Sequence, residues 1–83
     1  MKTEIKDGID NYVTHHVPTG SFLRAVLEND LFEAVGRADD DNQANLQEIC
    51  RYVYNEIPWN CWGSPEIVKQ WLEAAPAEAG KKE

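Results

Sequence analysis

The chain has 83 residues, with 15 Asp and Glu against 8 Lys and Arg and a formal net charge of −7. That length is one domain, and the acidic balance argues against a nucleic-acid backbone or an anionic membrane surface as partner, because both call for a basic patch. No apolar run has the length of a membrane helix and no apolar stretch follows a basic start, so the expected location is the cytoplasm, without a signal peptide.

Periodicity predicts four helical segments. In the first, residues 3–16, Ile5, Ile9, Tyr12, Val13 and His16 share one narrow face. Gly8 weakens it by about 1 kcal/mol relative to Ala. Pro18 ends it and biases Val17 away from helical angles. The second segment follows "PTGS", where Thr19 or Ser21 can cap the new helix, and runs to about Val35, with Gly36 as a natural stop. Its main seam is Leu23, Leu27, Leu31 and Ala34; Phe22 and Val26 form a second stripe, and Ala25 and Phe32 a third side. A helix apolar on several sides belongs at the centre of the domain.

The third segment starts after "RADDDN", with Asp39, Asp40 or Asp41 as N-cap and the remaining carboxylates suited to the positive helix end. Leu46, Ile49, Cys50, Val53 and Ile57 form its inner face, Tyr54 flanks that face, and Tyr52 points away towards solvent or a partner. Pro58 terminates it. In "NCWGSPE", Gly63 permits a turn, Ser64 is an N-cap, Pro65 is the first helical residue and Glu66 faces the positive end of a fourth helix over residues 65–75. Ile67, Val68, Trp71, Leu72 and Ala75 share its inner face, and Trp62 folds back onto the core near Trp71 or Tyr54. The expected fold is all-α: a compact single-domain bundle of three to four short helices over residues 1–75, with a frayed, disordered tail over residues 76–83, "PAEAGKKE".

Chemistry-bearing patterns are few. Counted from Asp39 as a calcium loop, the sixth residue is Ala44 and the twelfth Cys50, where glycine and glutamate are required. Helix capping is the better reading of that cluster. His15 and His16 with Cys50 and Cys61 could supply four zinc ligands, but adjacent helical histidines diverge by about 100° and no Cys-x-x-Cys or His-x-x-x-His pair is present. No metal and no cofactor is therefore expected. Cys50 and Cys61 are expected as free thiols in an intracellular setting, although a disulfide between them is geometrically conceivable. Ser64 lies in "GSP" rather than Gly-x-Ser-x-Gly, and no glycine-rich phosphate loop occurs. No catalytic residue is assigned and the chain is not expected to be an enzyme. Residues 20–56 carry eight acids and three arginines, read as a solvated face in preference to a nucleic-acid mimic.

Residues 9–72 resemble a family of small acidic proteins encoded by phages and prophages. The pieces that carry the resemblance are "PTGSFLRAVLENDL", "EAVGRAD" and "CWGSPE". The resemblance implies an accessory protein acting inside an infected or lysogenic bacterium, and supplies no catalytic residues.

Two functional expectations follow. The first is a non-enzymatic module that binds and modulates a host or phage protein, for example in counter-defence, with Phe32, Tyr52, Trp59 and Trp62 as anchors and self-association as a further option. Those four are hard to bury together in so small a core. The alternative is a protein that binds or sequesters a small ligand such as a nucleotide, using Arg24, Arg37, Arg51 and Ser64 at a helix start, with tryptophan stacking on a base.

Overall fold

A computed structural model of the chain describes residues 1–74, which form helices and turns with no strand among them. The elements are α1 (Thr3–His15), α2 (Ser21–Leu27), α3 (Leu31–Arg37), α4 (Asp40–Ala44), α5 (Leu46–Glu56), a single 3-10 turn (Trp59–Cys61) and α6 (Pro65–Glu73). The all-α expectation holds. The frayed tail expected over residues 76–83, and Ala75 on the fourth inner face, lie outside the described residues.

Two expected helices are each divided. The segment after "PTGS" breaks at Glu28–Asp30, because Asn29 adopts a left-handed conformation (φ 63°). The Asn29 N–H donates to the Val26 carbonyl and the Asp30 N–H to the Ala25 carbonyl, a Schellman closure of α2. Asp30 then caps α3 by accepting from the Glu33 N–H. The seam expected to run on through Leu31 therefore ends at Leu27: Leu27 is fully buried, whereas Leu31 is 57% exposed. Gly36 is no stop, for α3 continues through it to Arg37. The third segment bends at Asn45, whose side chain donates to the Asp41 carbonyl, and so divides into α4 and α5. Neither Thr19 nor Ser21 caps α2; Gly20 occupies the N-cap without a side-chain bond.

Other local signals act as expected. Asp39 is the cap of α4, accepting from the Asn42 N–H, and Ser64 caps α6, accepting from the Ile67 N–H with Pro65 at the first turn. Both cysteines are free.

The core is built on α2. Five of its seven residues, Phe22, Leu23, Ala25, Val26 and Leu27, are buried, as an element apolar on several sides requires. Ile9 and Tyr12 of α1, Ala34 of α3, Ile49, Val53 and Ile57 at α5, Cys61, and Val68 of α6 complete the buried cluster. Each large aliphatic buried there contributes about 1.5–3 kcal/mol. Gly8 now has a reason: a β-carbon at that position would meet Leu23 Cδ1 at 3.3 Å, so glycine lets α1 approach α2 closely. No helix among the described residues is long and apolar enough to cross a membrane.

Candidate functional site

The corner between α5 and α6 is fastened by three hydrogen bonds. The Tyr12 hydroxyl donates to the Cys61 carbonyl at 2.7 Å inside the core. The Gly63 N–H donates to the Leu27 carbonyl at 2.8 Å, joining the corner to the end of α2, and Gly63 takes φ +129°, which side chains rarely adopt. The Trp62 indole N–H donates to the Ile57 carbonyl at 3.2 Å. Chain polar groups that a loop would leave to water are thus bonded within the protein. A fixed corner results, and it carries Trp59 outward with 80% of its surface exposed.

Asn29 sits at the meeting point of this corner with the α2–α3 turn, and three adjoining cavities share it. One, of about 330 Å³, is lined by Asn29, Tyr54, Trp59, Trp62, Gly63 and Ile67. A second, of about 350 Å³, has Val26, Cys50, Arg51, Tyr54 and Trp62 among its walls. A third, of about 410 Å³, includes Glu28, Asp30, Leu31, Phe32 and Pro65. The Tyr54 and Trp62 rings meet edge to face, their centroids 6.1 Å apart. Phe32, at 88%, is the most exposed large apolar residue on this face.

Three of the four expected anchors, Phe32, Trp59 and Trp62, converge here. Tyr52 does not. It is half-buried against α1, where its hydroxyl donates to Asp10 Oδ1 at 2.6 Å and Lys6 Nζ lies 5.6 Å from its ring centre. The expectation that it points away from the protein is corrected. The hydrogen bond from Tyr52 holds the Asp10 carboxyl below its ordinary range, with Lys6 adding to the effect. The aromatic group that does face outward from α5 is Tyr54, which sequence reasoning placed at the flank of the core and did not name as a binding residue. Asn29 and Leu31 were likewise missed. The signal available for them was the pair Asn29–Asp30 with Glu33 three residues later, a helix stop followed by a helix start.

The four residues of the alternative ligand site are spread over separate duties. Arg24 is paired with Glu28 and Arg37 with Glu33, each one helical turn away. Ser64 uses its hydroxyl as the α6 cap. Arg51 alone lines the aromatic groove, and it makes no ion pair among the described residues.

The groups considered for catalysis or metal binding have structural partners. Cys61 is fully buried, its thiol donates to Asn60 Oδ1 at 3.6 Å, and burial pushes its pKa up. Burial raises that of Cys50 as well. His16 stacks on Trp71 and donates through Nδ1 to the Trp71 carbonyl, while His15 is exposed. Among the described residues no three His, Cys, Asp or Glu side chains gather as a metal site. The acidic stretch is mostly engaged: Glu28, Glu33, Asp41 and Glu48 are in ion pairs, and Asp30 and Asp39 cap helices.

No protein-family model, curated protein or solved structure matches this chain.

Proposed function

We propose that the protein is a non-enzymatic accessory protein of phage or prophage origin that binds and modulates a host or phage protein through the face centred on Asn29. The observation that carries this reading is the exposure of Phe32 and Trp59, at 88% and 80%, on elements fixed by internal hydrogen bonds. Large apolar groups scattered singly need no explanation, but here Leu31, Phe32, Tyr54, Trp59 and Trp62 line adjoining cavities. Tryptophan and tyrosine on a pre-ordered surface are the usual anchors of protein interfaces, and rigidity lowers the ordering cost of binding. The phage setting rests on the resemblance of "PTGSFLRAVLENDL", "EAVGRAD" and "CWGSPE". Affinity capture from lysate of the natural bacterial host, with the unmodified protein and with Phe32→Ala plus Trp59→Ala, tests the reading. A folded double variant should lose partners that the unmodified protein retains, at a cost of about 2 kcal/mol or more per anchor.

A specific observation supports the second reading, a small-ligand binder: Arg51 lines the 350 Å³ cavity together with Tyr54 and Trp62. That places one cation beside two aromatic rings, the minimum for an anionic group joined to a stacking base. A thermal-shift screen of nucleotides tests it, since ligand at a hundred times its dissociation constant adds about 2.7 kcal/mol of stability. No shift with any nucleotide removes this reading.

A further inference from the structure

The cavity beneath Trp59 has a composition that selects its occupant. Tyr54 and Trp62 form two of its walls, their planes 67° apart, and Trp59 supplies a third aromatic surface. The Trp62 indole N–H is already given to the Ile57 carbonyl, so the ring face is what Trp62 has left to offer. Aromatic faces are electron-rich and attract cations, guanidinium groups above all, because a planar guanidinium both stacks and donates hydrogen bonds.

On the side towards Leu31 and Phe32 the charges have the matching sign, while Arg51 stands on the opposite side of the Tyr54–Trp62 pair. Neither this cavity nor the adjoining one at Leu31 and Phe32 is lined by a Lys or Arg, and the adjoining one is lined by Glu28 and Asp30. Glu28 is paired with Arg24, but Asp30 makes no ion pair among the described residues, and one of its oxygens receives only the Glu33 amide. Exposed Glu66 lies between Pro65 and Ile67, one residue from each of the two cavities. The whole chain carries −7, which draws a basic partner towards it. Arg51 lines the cavity on which Tyr54 and Trp62 also open, and not the Trp59 cavity.

We infer that the Tyr54–Trp59–Trp62 cavity receives an arginine side chain from a basic segment of the protein partner, with a neighbouring apolar residue of that segment seated against Leu31 and Phe32. This rests on the reading of the face as a protein-binding surface and narrows it to a partner class, a segment that presents arginine beside an apolar residue.

The test is an NMR titration that follows the three tryptophan indole N–H signals. The probes are N-acetyl-arginine methylamide, its neutral isostere N-acetyl-citrulline methylamide, and the lysine and leucine counterparts. The arginine compound should move the Trp59 and Trp62 signals saturably and leave that of Trp71, bonded to the Tyr12 carbonyl elsewhere, in place. Citrulline should bind at least about fivefold more weakly, and Trp59→Ala should weaken arginine binding by a similar factor. Absence of shifts at Trp59 and Trp62, or equal binding of citrulline or leucine, overturns the inference. Equal binding of lysine overturns the assignment to a guanidinium. Should arginine fail while a host protein is still captured in a Trp59-dependent way, this inference falls and the protein-binding reading stands. Capture indifferent to Trp59 fails the protein-binding reading itself.

Discussion

His16 lies flat on Trp71, with ring centroids 4.0 Å apart and planes 20° apart, although 55 residues separate them. The bond is reciprocal in effect: the His16 Nδ1–H donates to the Trp71 carbonyl at 2.7 Å, and the Trp71 indole N–H donates to the Tyr12 carbonyl at 2.8 Å. The last turn of α1 and the last turns of α6 are thereby closed on each other. His16 does this from a left-handed conformation, φ 58°, as the C-cap of α1. Replacing it with alanine removes the stack and the bond to the Trp71 carbonyl, at a cost of about 2 kcal/mol, and keeps the β-carbon strain that histidine already bears. His16→Gly should cost less, because glycine tolerates that backbone. Urea denaturation of both variants checks the order; equal midpoints would show that the left-handed backbone contributes no strain.

Tyr12 tests the fastening of the corner that presents Trp59. Tyr12→Phe keeps the buried ring and removes the hydroxyl that satisfies the Cys61 carbonyl, which should destabilise the protein by about 1–3 kcal/mol. The same variant should broaden the Trp62 indole signal, since Trp62 follows Cys61 directly in the chain.

The Asp10–Tyr52–Lys6 cluster gives stability a pH dependence of defined sign. The folded-state pKa of Asp10 is depressed, first by the Tyr52 hydrogen bond and then by Lys6. Its contribution is therefore complete above the ordinary carboxylate range and is lost as pH falls below about 4. Tyr52 has the opposite limb: the Asp10 bond raises its pKa, so that contribution is present below about pH 10 and lost as pH rises further. In Tyr52→Phe the loss of stability on acidification should be shallower, as measured by thermal midpoints between pH 3 and pH 6. An unchanged acid limb would assign it to other carboxylates.

The two thiols should react at different rates. Cys50 is half-buried and borders the groove, whereas Cys61 is fully enclosed. Ellman's reagent on the native protein should modify one thiol readily and the second only at the rate of unfolding, with Cys50→Ala removing the fast phase. A fast phase that survives Cys50→Ala would show the corner around Cys61 to open readily.

Much of the fold was legible because it is locally encoded. Asp39, Ser64 and Pro65 act within one turn of the chain, and Pro58 follows directly on the C-cap of α5; α1 instead closes on left-handed His16, two residues ahead of Pro18. The break at Asn29 was hidden by a hydrophobic pattern that runs in phase through Leu23, Leu27 and Leu31, although only the first two are buried. Asn29 and Asp30 held the countervailing signal, and a left-handed asparagine ahead of a capping aspartate outweighed the periodicity. Periodicity assigns Tyr52 and Tyr54 the wrong way round, with Tyr52 outward and Tyr54 at the core's flank. They lie symmetrically on either side of Val53, and only the packing of α1 decides that Tyr52 finds Asp10 while Tyr54 joins Trp62. The composite site was illegible for the same reason, because its walls come from the α2–α3 turn, α5 and the corner before α6.

The most direct measurement is affinity capture from the natural host with Phe32→Ala plus Trp59→Ala, alongside circular dichroism and thermal midpoints. Both side chains are largely exposed, so the variant should match the unmodified protein in helicity and lose at most about 0.5 kcal/mol of stability. The prediction is a folded variant that no longer retains the partner. A folded variant that retains the same partner in the same amount would contradict the assignment of function to this face.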